Sequence, residues 1–244
     1  MEITREQRLN RTALLLSDEQ MEKLKNAHVM LLGLGGVGSY AAEALARAGV
    51  GEMTIVDNDD VAVSNLNRQL PALSSTIGQN KVDVVAQRLQ DLAPDLVLHA
   101  VNAFYLPETP VPVPDNCTMV VDAIDTTSAK LHLAEVCVAR GIPLVSCMGM
   151  GNRLDPTKIV IGDIYETSGC PLCRVMRSQL RKRGVPALRC VYSTEPAIAP
   201  RVDENAETKG TAGRTAPGSV SFVPSVAGLY LAYETIRQIA GFER

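Results

Sequence analysis

Gly33-Leu34-Gly35-Gly36-Val37-Gly38 is the stretch that decides how this chain is read. Ahead of it, Val29-Met30-Leu31-Leu32 is a short apolar run of the kind that forms a buried parallel strand. Behind it, Ala41, Ala44, Leu45 and Ala48 recur at helical spacing and predict a helix from Val37 to Gly49. A strand, a glycine turn and a helix N-terminus aim backbone N–H groups and a positive dipole end at a phosphate. The next run, Met53-Thr54-Ile55-Val56, reads as a second strand that ends on Asp57, where a carboxylate accepts hydrogen bonds from ribose hydroxyls. The expected fold is α/β: a Rossmann-like, mostly parallel sheet with helices on both faces, extended by the C-terminal part of the chain.

Glycine loops followed by an acid belong equally to dinucleotide sites. The residues that come next separate the two readings. Asp59, then Ser64-Asn65-Leu66-Asn67-Arg68-Gln69, then Lys81 behind Gly78, form an ordered polar set. Hydride transfer has no use for an Arg and a Lys converging on the loop. A triphosphate does, because Arg offers a forked donor set and Lys a compact point charge. Singly, Arg68 and Lys81 read as solvated surface residues; as a set they indicate ATP used to activate a carboxylate. Val120-Val121 predicts another buried strand, with Asp125 just beyond its carboxyl end, where open α/β sheets hold their ligands. Asp122 lies nearer the strand and reads as a residue that caps or orients the loop.

The 244 residues are 46% hydrophobic and 21% charged, an ordinary globular balance with ample core. One domain spanning 1–244 is expected, with a nucleotide-binding half over about 26–150 and a substrate-binding half over about 151–244. No apolar run has the length of a membrane span and the N-terminus lacks a signal-peptide core, so a cytoplasmic protein without a membrane partner is expected. With a net charge of −3, any contact with nucleic acid must be local. The six cysteines read as reduced thiols. Cys117, Cys137 and Cys147 sit in apolar strand or helix surroundings and read as small core residues. Leu106–Pro114, with four prolines, reads as a loop between the third and fourth strands. The polar, Gly-rich stretch 200–218 reads as a long mobile flap over the active site. Val226, Leu229, Tyr230, Tyr233, Ile236 and Ile239 then predict a final helix over 224–242 that packs back on the body.

Taken in order, the glycine loop, Asp57, Asp59, Asn65, Arg68, Gln69, Lys81 and Asp125 resemble the ThiF/MoeB/HesA superfamily of ATP-dependent adenylating enzymes, relatives of the ubiquitin activators. The resemblance runs from about residue 11 to about residue 165. It implies that Gly36 faces the nucleotide, Asp57 the ribose, and Asn65, Arg68 and Lys81 the phosphates. Gly33, Gly35, Gly38, Asp59 and Gln69 complete the implied ATP site. Asp125 is the implied Mg²⁺-associated carboxylate required for adenylation. Arg11, ahead of the first strand, would reach into the ATP site of a partner subunit in a homodimer and stabilise charge on the phosphates. Arg8 is the neighbour that could substitute for it.

Residues 149–194 resemble one branch of that superfamily, the tRNA threonylcarbamoyladenosine dehydratases. The matching features are Gly149-Met-Gly151-Asn-Arg153-Leu-Asp155-Pro-Thr157, Pro171-Leu172 leading into Arg174-Val-Met-Arg177, and Val191-Tyr-Ser-Thr-Glu195. The branch implies that a modified adenosine in tRNA is adenylated on its carboxylate and cyclised, with no catalytic cysteine. A cysteine desulfurase or sulfur-acceptor system is a further implied partner. In that branch the Pro-Leu pair is flanked by an acid and a small residue; here the flanks are Cys170 and Cys173. A closed structural zinc site wants four ligands, and only Cys190 follows the pair, with the three histidines far off in sequence. The pair reads as two incidental thiols, with a redox or metal role as the alternative.

Charge supports an RNA partner separately. From Ser168 to Thr194 the chain carries Arg174, Arg177, Arg181, Lys182, Arg183 and Arg189 and no acid. Arg174, Arg177 and Arg181, at i, i+3 and i+7, share one face of a predicted helix. Such a stripe is the local footprint a phosphate backbone needs, and a solvated helix face is the plain alternative. Two rivals remain: adenylation of the C-terminus of a ubiquitin-like sulfur carrier, and an NAD-binding protein with the cysteine pair as a thiol switch.

Overall fold

In the computed structural model, which describes residues 3–199, 201, 208–209 and 214–242, the apolar run ahead of the glycine loop is strand β1 (His28–Leu32), buried at every position. Continuous burial of this kind marks a strand covered on both faces. β2 (Glu52–Asp57), β3 (Val97–Asn102), β4 (Met119–Asp122) and β5 (Leu144–Cys147) complete a parallel array. β6 (Ile159–Asp163) and β7 (Arg189–Ser193) extend it, so the sheet runs β3-β2-β1-β4-β5-β7-β6 with β6 antiparallel to β7. Strand order reverses at β1, between β2 and β4, and open α/β sheets bind ligands outside the carboxyl ends of such strands.

Alternation along β1 divides the core. Val29 and Leu31 pack with residues of α3 (Gly38–Ala48), α4 (Lys81–Leu92) and α7 (Phe222–Ala240). Met30 and Leu32 face Ala129, Leu133 and Cys137 of α5 (Thr127–Arg140). Further along the sheet, Cys173, Met176 and Leu180 of α6 (Pro171–Lys182) pack against Cys190 and Tyr192. The short α1 (Arg5–Leu9) and α2 (Asp18–Lys25) precede β1.

Three expectations change. The final helix forms, but it buries Val223, Ala227, Leu231 and Ala232, while Leu229 and Tyr230 stay 49% and 37% exposed. The reason is a close crossing: Gly228 approaches the Val37 carbonyl and Tyr40 so tightly that no Cβ would fit. Small residues around Gly228 bring the helix onto α3, and Val226, Ile236 and Ile239 pack against the core as expected, while Leu229 and Tyr230 fall outside the contact. The stretch 200–218 contains a short antiparallel pair, β8 (Thr208–Lys209) with β9 (Arg214–Thr215); most of the expected flap lies outside the described residues. Cys117 sits in the loop before β4, whereas Cys137 is in α5 and Cys147 ends β5; all six thiols are free. Leu106–Pro114 has no regular structure, as expected. No described helix is long and apolar enough to cross a membrane.

Candidate active site

The carboxyl end of β1 leads straight into the glycine loop. Gly33 has φ +90, a left-handed backbone, and a Cβ there would lie 2.7 Å from the Ala123 carbonyl oxygen. Asp57 pins the loop to the end of β2. Its Oδ2 accepts the Leu34 N–H at 2.6 Å and its Oδ1 the Asp59 N–H at 2.8 Å. Burial pushes the Asp57 carboxyl up, against these two hydrogen bonds and the charge of Lys81. Each oxygen keeps a lone pair that a ribose hydroxyl can use.

A cavity of about 350 Å³ opens at these strand ends, within the range of small-ligand sites. Gly33, Gly35, Gly36, Asp57, Asp59, Asn65, Arg68, Gln69, Lys81 and Asp125 all line it. Gly38 does not; its missing Cβ lets the start of α3 press against the Gly33 carbonyl, so its role is packing. Lys81, the first residue of α4, is 4% exposed, and its Nζ lies 2.8 Å from the Asp59 carboxylate. Arg68 Nη1 donates to Ser64 O and Asn67 Oδ1, each at 2.8 Å. Asn65 Oδ1 accepts the Ala62 N–H at 3.1 Å. Gln69 Oε1 is buried without a hydrogen-bond partner among the described residues, an acceptor that a ligand donor would satisfy.

Asp125 is exposed, three residues past β4. Asp122 orients the loop as expected, accepting the Ile124 N–H at 3.0 Å. It also does what the sequence did not announce. Its other oxygen faces Lys130 Nζ at 2.9 Å and Ser146 Oγ at 2.5 Å, and Lys130 donates to the Cys147 carbonyl at 2.8 Å. Lys130 lines the cavity, as do Phe104, Tyr105, Met148 and Leu172, which give it an apolar lobe. Of that lobe the sequence singled out only Leu172, in the Pro171-Leu172 pair; Phe104, Tyr105 and Met148 sit in loops with no periodicity to mark them. The quoted motif of residues 149–157 is held by Glu195, whose carboxylate accepts the Leu154 and Asp155 N–H groups at 3.1 and 3.0 Å.

The basic segment is only partly a stripe. Arg174, Arg181 and Lys182 are exposed, and the Arg181 guanidinium stacks 5.2 Å from the Tyr165 ring centroid. Arg177 instead donates to the Thr167 carbonyl at 2.7 Å and to its hydroxyl, and Arg183 pairs with Glu135 at 2.6 Å. Arg189 pairs with Glu234 at 2.8 Å. Cys170 occupies the N-cap position of α6, without a side-chain capping bond, and Cys173 is buried in its first turn. A hydrogen bond with Cys173 draws the Cys170 thiol down, against burial and with help from Arg153, and pushes Cys173 up. Arg11 is exposed and does not line the cavity. Arg8 is not available to replace it, because it holds Asp95 and the Ala46 carbonyl, each at 2.9 Å.

The model of the ThiF family matches residues 9–244. A tRNA threonylcarbamoyladenosine dehydratase of Bacillus subtilis is 43% identical over 237 residues, 94% of this chain and 93% of that protein. Its Escherichia coli namesake is 36% identical over 81% of this chain and 77% of its own length. The crystal structure of the E. coli enzyme TcdA in complex with ATP superposes with a TM-score of 0.85 at 31% identity, covering 99% of this chain and 98% of that one. A family model that spans residues 9–244 and a relative 43% identical over 94% of this chain show its membership: this chain belongs to the ThiF family.

Proposed function

We infer that this chain is an ATP-dependent dehydratase acting on threonylcarbamoyladenosine in tRNA. One observation carries the reading: a glycine loop, Asp57, buried Lys81, Arg68 and Asp125 converge on a single cavity, in a chain 43% identical over 94% of its length to a dehydratase of that name. The carboxylate of the modification attacks the α-phosphorus of ATP, the bond to pyrophosphate breaks, and an acyl-adenylate forms. A carboxylate oxygen is a poor leaving group and AMP a good one. The carbamoyl group of the same modification then attacks the activated carbonyl, loses a proton, and expels AMP as the ring closes. One water is lost overall at the expense of ATP. Because the second step is intramolecular, it needs positioning more than a protein nucleophile.

Asp57 takes the ribose and the N–H groups of the glycine loop take phosphate oxygens. The Lys81 ammonium has three donors, so it can keep Asp59 and still reach a phosphate; Arg68 adds a second cation. Asp125 and Asp59 offer the oxygen donors that a hard cation prefers. They would hold Mg²⁺, whose contribution when bound is to neutralise phosphate charge. The tRNA lies along α6 against Arg174, Arg181 and Lys182, with the 151–244 half as its platform. A second copy of the chain supplies Arg11. The exposure of Arg11, beside Leu14 and Leu15 at 75% and 87% exposed, supports that placement.

The test incubates purified protein with ATP and tRNA bearing the modification, with the same tRNA lacking it, or with a sulfur-carrier protein ending in Gly-Gly. AMP release and a nucleoside lighter by one water, only with the modified tRNA, is the expected result. Pyrophosphate exchange driven by the carrier protein, with the tRNA unchanged, would replace this reading by its rival.

A further inference from the structure

We propose that His28, Glu52 and His99 form a binding site for one divalent transition-metal ion of the zinc class, at the end of the sheet opposite the ATP site. The strand register brings them together. His28 is level with Glu52, and His99 is level with Thr54, two residues beyond Glu52. Side chains two residues apart on a strand share a face, so all three lie on the face that α5 covers further along. Glu52 Oε1 is 3.4 Å from His28 Nδ1 and 2.9 Å from His99 Nε2. One donor atom from each residue lies within 4.8 Å of the other two.

Two imidazoles and a carboxylate are a donor set that zinc takes. Tetrahedral bonds of about 2.0–2.1 Å separate adjacent donors by roughly 3.3 Å, which is close to the spacing already present. The surroundings orient the donors as metal sites require. Without an ion, His28 Nδ1 carries the ring N–H, since Asn116 Oδ1 at 2.8 Å and Glu52 Oε1 at 3.4 Å only accept, and Nε2 faces Thr54 Oγ1 at 2.8 Å; an ion on Nδ1 would move that hydrogen to Nε2, where the Thr54 hydroxyl can accept it. Asn116 Nδ2 donates to Glu52 Oε2 at 3.0 Å and steadies the carboxylate. Asn116 Oδ1, 2.8 Å from His28 Nδ1, stands where a fourth oxygen ligand or its water would be.

The location sets the role. His28 is 3% exposed, whereas the His99 side chain is half exposed, so the site is anchored in the core and open to solvent on one side. β1 and β2 run from His28 and Glu52 to the glycine loop and Asp57. At about 3.3 Å per residue, that is roughly 13–17 Å, too far for the ion to touch the nucleotide. The ion ties β1 to β2 and to the edge strand β3, so its effect falls on stability.

The test uses the whole protein, stripped with a chelator and dialysed. Titration with Zn²⁺ in a calorimeter should show one saturable site per chain, and Zn²⁺ should raise the unfolding midpoint. Co²⁺ should give visible d–d absorption without a thiolate charge-transfer band. His99→Gln and Glu52→Gln change partly exposed positions. Each variant should keep the metal-free midpoint and lose affinity by more than about tenfold. Cys170→Ser/Cys173→Ser should bind as the wild type does. No saturable binding, binding that survives His99→Gln, or a thiolate band that vanishes with the cysteines would overturn the site.

Discussion

Asn152 and Gly218 exchange two hydrogen bonds: the Asn152 N–H donates to the Gly218 carbonyl and the Gly218 N–H to Asn152 Oδ1, both at 2.7 Å. Asn152 has φ 58, the one positive value among the described non-glycine residues, in a region Asn tolerates because its short side chain bonds locally. Beside it, a Cβ on Gly151 would lie 2.6 Å from Pro217. The loop after β5 is thus clasped to the segment that leads into α7, where Gly151 and Pro217 line the cavity. Asn152→Gly removes only the side-chain bond; Asn152→Ala also forces a left-handed alanine at about 1–2 kcal/mol. Urea unfolding should rank wild type above Gly above Ala, and KM for ATP should rise in the reverse order. An alanine variant as stable as the glycine variant would show that the backbone relaxes and the clasp is not strained.

Asp125→Ala should leave the urea midpoint nearly unchanged, within about 0.5 kcal/mol, because the side chain lies exposed in the cavity. It should abolish AMP formation from labelled ATP. Near-normal turnover by the folded variant would exclude adenylation through this carboxylate.

The strand–glycine–helix unit was legible because everything it needs is local: an apolar run, a turn only Gly allows, a helical period. Asp57, Lys81 and Asp125 were legible because each stands at a fixed offset from a strand or helix end. The Asp122–Lys130 pair was not. Lys130 sits between Ala129 and Leu131 in a helix, and nothing near it in sequence shows that Ser146 and the Cys147 carbonyl close over it. Arg177 and Arg183 look like members of a stripe until Thr167 and Glu135, from other segments, take them up. His28 and His99 look remote until the parallel register of β1, β2 and β3 sets them side by side. The face of α7 was legible in part: Val226, Ile236 and Ile239 pack against the core, whereas Leu229 and Tyr230 turn outward because the close approach to α3 is made around Gly228.

The buried Asp122–Lys130 pair carries its own prediction. Both side chains are 1% exposed. Removing one partner strands the other charge without solvent, at a cost of about 3–5 kcal/mol. Lys130→Met should therefore lower stability by that order in urea unfolding. The double variant Asp122→Asn/Lys130→Met should recover part of the loss, since no uncompensated charge remains. A single variant of wild-type stability would mean that the lysine is neutral or hydrated.

Glu234, 1% exposed in α7, accepts hydrogen bonds from Arg189, Arg237 and Gln238 at 2.8 Å. Burial pushes its carboxyl up, but these partners outweigh burial and hold it at about 2. A depressed carboxylate contributes stability above its unfolded value of about 4.3, and that contribution is lost as pH falls toward the folded value. Glu234→Gln should consequently be less stable than wild type near pH 6, and the gap should narrow by about pH 3. Comparing the two proteins cancels the other carboxylates. A gap independent of pH would assign the difference to packing.

The exposed members of the basic helix separate RNA binding from ATP binding. Arg174, Arg181 and Lys182 lie on the surface of α6, and none lines the nucleotide cavity. Reversing all three to Glu should weaken tRNA binding across sequences and flatten its salt dependence by roughly one unit of slope for each phosphate no longer neutralised. ATP affinity should barely change, because the added charges are screened over a Debye length of about 8 Å at physiological salt. Arg177→Ala is the contrasting variant. Its guanidinium ties α6 to Thr167, so it should lower stability before it alters the salt slope. If the triple variant folds, binds ATP and keeps the wild-type slope, α6 is a solvated face and the tRNA lies elsewhere.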